Sequence, residues 1–486
     1  MEWHYRTRRY PPGPRPLPLI GNLHQIPRKN QWRTFKKWHE IYGPIISVYI
    51  GQRLMIILGS HDCAHDLLVK KGSIYSSRPE YFADGVGSGG FHVVALPYGQ
   101  QWRSQRTVLD SFLSAGPCSR YRLLQDVESK QLVHDLLSSN DFATCFHRFA
   151  ASLTHALAYG RRMSRGDEEE IVEIDGIMRE ILEHVTLPAV AFPILDYLPP
   201  ILALWKRKAS DLFAKQDKVF TASLKAALHR ECWSWSREAT HTKLAAEDQD
   251  PKAMAYTVGV NYEAGSDTTA FVLEVFVLAA LLHPEAVSEA QEELDTVTGA
   301  DMPGWDDLPR LPYLQAFVKE VLRWRPVVPG GIHHLTTKQD HYMGYEIPAD
   351  TPIIPNHWSL EFDSRLFPNP KSFIPERWLE SPGLPCSAFG FGRRVCPGKN
   401  LALNSLKIVM ARILWAFDIR SADEMGGKSE LPDSRDMTQG ISSRPAPFRA
   451  LFYCRSEQRR QVIEDEWVAC EKDIQVLMEQ VKSNPG

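Results

Sequence analysis

The chain has 486 residues, a formal net charge of −3, 43% hydrophobic and 24% charged residues, and a pI near 6.6. These proportions are those of a globular protein with a large core and argue against a disordered or fibrous chain. The slightly acidic balance, with lysines and arginines scattered rather than striped, gives nucleic-acid binding no electrostatic support. The length admits about two to four domains, although single large enzymes also reach it. Cysteines at 63, 118, 145, 232, 386, 396, 454 and 470 form no C-x-x-C pair and no metal-type spacing. That fits a reducing compartment with mostly inert thiols. Nothing resembles a cleavable signal peptide, and no apolar run of about 20 residues stands out, so no membrane span is expected.

Residues 1–22 open with a basic patch and pass into a segment where Pro11, Pro12, Pro14, Pro16 and Pro18 favour a stiff, extended path. Ile45–Ile50 and Arg53–Leu58, joined by Gly51 and Gln52, predict a β-hairpin. From residue 61 helical segments alternate with loops, with no repeat at solenoid periods. Residues 81–97, rich in glycine and aromatics, read as a flexible loop that contains Phe91. PYGQQWRSQR at 97–106 starts a helix that puts Trp102 and Arg106 on one face. From about 120 to 250 the periodicity is helical, broken by LPAVAFPILDYLPP at 187–200, which reads as a compact loop.

A long helix is predicted near 252–282, stopped by Pro284. At its middle, AGSDTT (264–269) places Gly, Ser, Asp and two Thr where a helix interior disfavours them. A local rule broken inside an apolar helix often marks function. A threonine hydroxyl bonded back to a carbonyl would open the helix and leave room for oxygen and water. Further helices start at Pro284 and Pro312, the second carrying Glu320 and Arg323 three residues apart on one face. Such pairs are usually solvated and worth under about 1 kcal/mol, but Val318, Val321 and Leu322 around this one point to burial. Residues 327–360 read as short strands with Gly and Pro turns, and neither His333 nor His334 sits in a zinc-like pattern. Beyond Arg455, Ile463, Trp467, Cys470, Ile474, Met478 and Val481 recur near every 3.5 residues and predict one amphipathic helix packed on the body.

The most informative stretch is FGFGRRVCPG, residues 389–398. Cys396 lies in a glycine-bracketed loop just before a helical run, with Pro397 expected in the first turn. A thiolate there would face a helix N-terminus and free amides, which lower a thiol's pKa. Arg393 and Arg394 add forked donors for carboxylates, and the glycines permit close approach of a flat ligand. This decapeptide resembles the haem-binding signature of the cytochrome P450 family, with Phe389, Gly392, Arg394, Cys396 and Gly398 at the positions that pattern requires.

The resemblance implies a mainly α fold with a small β-rich lobe, a triangular helical prism around a buried haem. The cofactor it implies is heme b (iron protoporphyrin IX), with Cys396 as axial thiolate. Trp102, Arg106 and His334 match positions that bind haem propionates; Asp267 and Thr268 match the acid and alcohol of the oxygen-activation motif. Glu320, Arg323 and Arg377 (from FIPERW) match a structural network that holds the cysteine loop. Phe91, Val260, Ala264, Val328 and Ile332 fall on the substrate side. In the family's eukaryotic members a basic, proline-rich hinge follows a membrane anchor, which is missing from this chain. The expected division is therefore 1–22 as that hinge, 23–455 as the monooxygenase domain and 456–486 as a C-terminal extension. Without a flavin or nicotinamide module, electrons are expected from a separate NADPH-cytochrome P450 reductase, with Lys399 among its docking points. A monomer in peripheral contact with the cytosolic face of the endoplasmic reticulum, or cytosolic, is implied. YGRR at 159–162 and RPAPF at 444–448 bring the wording near fungal members that oxidise hydrophobic secondary metabolites with O₂. Two other classes stay open: a haem-thiolate isomerase or dehydratase that does not use O₂, against which the intact AGSDTT counts, and a haem-bearing sensor without turnover.

Overall fold

Ile45, Ile46, Val48 and Ile56–Leu58 are β-branched or aliphatic residues buried on both faces, which is why their strands sit inside rather than at the surface. In the computed structural model, which describes residues 9–85, 87, 89–183, 191–192, 198–199, 202–241, 250–421 and 431–484, they form the predicted hairpin. Strand β1 (Ile45–Ile50) pairs antiparallel with β2 (Arg53–Leu58), Ile45 opposite Leu58 and Ile50 opposite Arg53. The short strands β3 (His334–Leu335), β4 (Asp340–Tyr342), β5 (Tyr345–Ile347) and β6 (Pro352–Pro355) follow much later in the chain. β6 adds parallel to β2 and β3 antiparallel to β6, giving the order β1-β2-β6-β3. β4 and β5 form a hairpin, and β7 (Phe417–Ser421) pairs with β8 (Ala450–Cys454).

The helices of ten residues or more, labelled in chain order, are α1 (Gln31–Tyr42), α2 (Gln100–Leu113), α3 (Arg122–Leu136), α4 (Phe142–Tyr159), α5 (Glu169–Glu183), α6 (Leu204–His229), α7 (Pro251–Leu282), α8 (Pro284–Thr298), α9 (Pro312–Trp324), α10 (Lys399–Ala416), α11 (Glu457–Ala469) and α12 (Ile474–Ser483). Three of them begin at a proline, where the missing N–H is no loss. α7 is the central beam: it packs most extensively on α4, then on α6 and α10. It is apolar and long enough to cross a membrane, contrary to the expectation that no such run exists, but 78% of its most apolar window is buried in protein.

Glycine explains the tightness of the α4 contact. A Cβ built on Gly265 would lie 2.6 Å from Thr154 Cγ2, so the glycine of AGSDTT is already required by packing. The C-terminal segment forms two helices rather than the predicted one. Asp473 accepts a hydrogen bond from the Gln475 amide and so caps a new start, while Cys470 ends α11 in an extended conformation. Both pack on α3, burying Ile463, Leu477, Met478 and Val481. The 81–97 segment begins with a short helix, Glu80–Gly85. Most of the 187–200 stretch lies outside the described residues.

Candidate active site

The loop before α10 is shaped by its backbone. Gly392 has φ +56°, and a Cβ there would stand 2.1 Å from the Leu68 carbonyl oxygen, so only glycine fits. The Cys396 N–H donates to Phe389 O at 2.8 Å, closing the loop on itself. α10 starts at Lys399 with Gly398 as its N-cap, which puts Pro397 just ahead of the helix rather than in its first turn. Cys396 is exposed and lines a cavity that Phe389, Gly398 and α7 also line. Protein crowds it on the other sides. Burial therefore pushes its thiol up, against the Gly398 amide, Arg106 and the Lys399 amide, which favour the anion. The lowered thiol pKa expected from the sequence is not found in the protein alone. Coordination to a metal would remove that proton outright.

Arginines crowd one rim of the same cavity. Arg394 donates from Nε to Ser76 O (2.7 Å), from Nη2 to Leu96 O (2.6 Å) and from Nη1 to Val93 O (3.3 Å). Its guanidinium lies 4.5 Å from the Trp102 ring centroid. Arg106 donates to Val395 O at 2.6 Å and pairs with Asp110 at 2.8 Å. Arg78, which no local sequence pattern marks, donates to Val94 O (2.9 Å) and His333 O (2.6 Å). All three arginines line the cavity. Among the described residues no carboxylate pairs with Arg78 or Arg394. Burial lowers Arg78 to about 9, and burial plus repulsion from Arg78 and Arg106 lowers Arg394 to about 8. Buried cations without counter-charge are costly, so this rim fits the two carboxylates of a porphyrin.

His334 also lines the cavity, but its Nδ1 lies 2.8 Å from Tyr75 O. A carbonyl only accepts, so Nδ1 carries the proton and Nε2 is left as an acceptor. Burial, then Arg78, holds the ring well below its ordinary pKa. In this form His334 offers a carboxylate no donor at Nε2, and Arg78 fits that task better.

Val260, Ala264, Val328 and Ile332 give the cavity a mostly apolar wall, which Thr268 joins. Thr268 Oγ1 donates to Ala264 O at 2.8 Å, and Ser266 and Asn261 likewise bond back to carbonyls of their own helix. The polar residues are thus satisfied within α7, which runs unbroken through them. Two expected residues stand elsewhere. Phe91 is absent from the wall and stacks on Phe213, centroids 6.3 Å apart, and against Tyr256 at 5.6 Å. Asp267 is also off the wall: its Oδ1 lies 3.2 Å from His147 Nε2 on α4.

A family model described as Cytochrome P450 matches residues 11–452. The chain belongs to the cytochrome P450 family. It is 42% identical to "Cytochrome P450 monooxygenase FrzL" of Cladobotryum sp, over 98% of this chain and 94% of that protein. It is also 42% identical to "Cytochrome P450 monooxygenase aneD" of Aspergillus aculeatus, over 96% and 92% of the two chains. "Echilunin cytochrome P450 monooxygenase" of Aspergillus ruber is 40% identical over 97% of this chain and 89% of its own. The protein is accordingly a P450 monooxygenase with the mainly helical P450 fold, and the family carries a haem-thiolate cofactor.

Behind the cysteine loop of this P450, Glu320 and Arg323 are fully buried. Arg323 makes a forked contact, Nη2 to Oε1 at 2.7 Å and Nε to Oε2 at 2.9 Å. Arg377 Nε (3.3 Å), the Ile374 amide (2.9 Å) and Trp378 Nε1 (2.9 Å) complete the carboxylate's partners. The remaining Arg323 donors reach Glu361 O, Pro370 O and Ser372 O. Glu320 and Arg323 together thus tie α9 to the 361–378 segment.

Proposed function

We propose that this P450 holds iron protoporphyrin IX through Cys396 and hydroxylates or otherwise oxidises a hydrophobic fungal secondary metabolite. The observation that carries the reading is that one cavity is lined together by Cys396, by Arg78, Arg106 and Arg394, and by Thr268 of α7. Arg78, Arg394 and Arg106 would hold the porphyrin carboxylates, with the Trp102 ring under Arg394. When bound, the haem supplies the reduction of dioxygen and oxygen-atom transfer, for which sulfur ligation increases electron density at iron. The net reaction is RH + O₂ + two electrons + two protons → ROH + H₂O.

The protein's own residues manage water and protons. Val260, Ala264, Val328 and Ile332 bind an apolar skeleton and exclude bulk water. Thr268 presents its hydroxyl oxygen as an acceptor toward the cavity, its hydrogen being given to Ala264 O. Asp267, on the adjoining face of α7, relays from solvent the protons that the stoichiometry requires, taking up one for each it passes on. Electrons come from an NADPH-dependent P450 reductase approaching the exposed Lys399 at the start of α10. The working form is a monomer whose 23–455 core is capped by α11 and α12, in peripheral contact with the endoplasmic reticulum through the 1–22 hinge. The intact AGSDTT motif weighs against an O₂-independent isomerase.

Thr268→Ala tests the reading, using a substrate found by ligand-induced shifts of the haem absorption band. Product formed per NADPH consumed is expected to fall by about a hundredfold, with the lost electrons recovered as peroxide. An unchanged product-to-NADPH ratio would contradict a role for Thr268 in proton handling.

A further inference from the structure

His147, Asp175 and Asp267 come from three helices, α4, α5 and α7, and converge at one nitrogen. Nε2 of His147 lies 3.2 Å from an oxygen of Asp175 and 3.2 Å from an oxygen of Asp267. Side-chain exposure falls inward, from 36% at Asp175 to 20% at His147 and 12% at Asp267. Thr268, the next residue after Asp267, is on the cavity wall. The trio therefore stands between the molecular surface and the part of the cavity that Thr268 lines.

Neighbouring charges do not compete for the imidazole. Glu274, two turns further along α7, pairs with Arg444 at 3.0 Å, and Glu170 on α5 pairs with Arg161. The Tyr262 phenol, facing Asp175 and Asp267, is held neutral by burial and by those two carboxylates. Among the described residues, His147 is the one cationic partner of both aspartates. Burial opposes its charge, but the adjoining carboxylates of Asp175 and Asp267 outweigh burial and lift it to about 10. A single N–H cannot align with two carboxylates, and at Nε2 neither contact has good hydrogen-bond geometry. The attraction is mainly of charge, which tolerates exchange of one partner for the other. The three ligand atoms lie within 4.8 Å of one another, close enough to share a cation. The imidazolium proton already fills that role, and a metal ion would have to displace it.

We propose that His147 is a positioning residue for Asp267: its imidazolium latches the Asp267 carboxylate on the side of α7 away from the cavity, and Asp175 takes over the imidazolium when Asp267 swings toward Thr268. The proposal rests on the reading of Asp267 as the proton relay. No bond to carbon or oxygen changes in the latch; one ion pair opens while the other persists. Without Asp175, releasing Asp267 would strand two opposite charges in a half-buried site, so the latch would hold too tightly. Without His147, Asp267 is free, whether or not Asp175 is present.

The prediction is therefore one of order among variants. With reductase-reconstituted holoprotein and NADPH, and each variant checked for an intact reduced carbon-monoxide spectrum, Asp175→Asn is expected to slow NADPH consumption about tenfold and to enlarge its solvent isotope effect. Adding His147→Gln to Asp175→Asn is expected to restore the rate. A second readout needs no turnover: nitrogen-15 NMR of histidine-labelled, reduced carbon-monoxide protein. There His147 is expected to stay protonated through pH 8, and Asp175→Asn and Asp267→Asn are each expected to lower its titration by a unit or more. A neutral His147 at pH 7, or a shift in only one of the two variants, would overturn the shared contact. If Asp267→Asn slows consumption but the double variant is as slow as Asp175→Asn, the latch falls alone. If Asp267→Asn leaves consumption unchanged, the proton-delivery reading falls and takes the latch with it.

Discussion

Cys396→Ser protein is expected to lose monooxygenase turnover by about a thousandfold or more, equivalent to roughly 4 kcal/mol of transition-state stabilisation. The substitution is close to isosteric, and what shapes the loop does not depend on sulfur. The Cys396 N–H bond to Phe389 O is a backbone contact, and the left-handed Gly392 is fixed by Leu68. Folding and the arginine rim should therefore survive, and haem should still enter. What changes is the atom that residue 396 would offer to iron. A serine hydroxyl ionises far less readily than a thiol, so the soft anionic donor is replaced by a weak neutral one. The measurement is product formation with reductase and NADPH, alongside circular dichroism to establish an unchanged helix content. Turnover within tenfold of the unsubstituted protein would contradict the assignment.

Glu320→Ala is expected to cost about 3–5 kcal/mol of stability and much of the haem-loaded yield. Glu320 and Arg323 are both fully buried, and the alanine removes the one carboxylate that, among the described residues, pairs directly with Arg323 and Arg377. The Trp378 indole and the Ile374 amide lose their acceptor at the same time. Truncating one partner of a buried network costs far more than the pair contributes when intact, because the desolvated charges remain. Glu320→Gln keeps the shape and one acceptor oxygen and should cost less than the alanine. Denaturant unfolding of the two variants checks this, and a loss below about 1 kcal/mol for the alanine would show the network to be solvated.

The parts of the structure that could be read in advance are those with local causes. The hairpin follows from two aliphatic runs about a Gly-Gln turn, α7 from its long apolar run stopped at Pro284, and α8 and α9 from the prolines at their first residues. The burial of the Glu320–Arg323 pair was foreshadowed by its valine and leucine neighbours. Non-local features were not legible. Arg78 joins the cavity rim from a segment with no motif, more than 300 residues from Arg394. His147 and Asp175 lie in ordinary helical sequence and acquire meaning only where three helices cross. Phe91 falls on the substrate side by resemblance alone, whereas its ring packs against Phe213 and Tyr256. The thiol was misjudged because helix and amide effects are local while burial is global. One miss had a visible signal: Asp473 is a standard N-cap, and weighing it against the 3.5-residue period would have split the C-terminal helix.

The claim on which the rest depends is a bond between the Cys396 sulfur and the haem iron. X-ray absorption at the iron edge of ferric holoprotein reads that bond without recourse to turnover. The account predicts one sulfur scatterer in the first shell of the unsubstituted protein and only nitrogen and oxygen in Cys396→Ser. A first shell free of sulfur before substitution, or one that keeps its sulfur after it, would contradict the account.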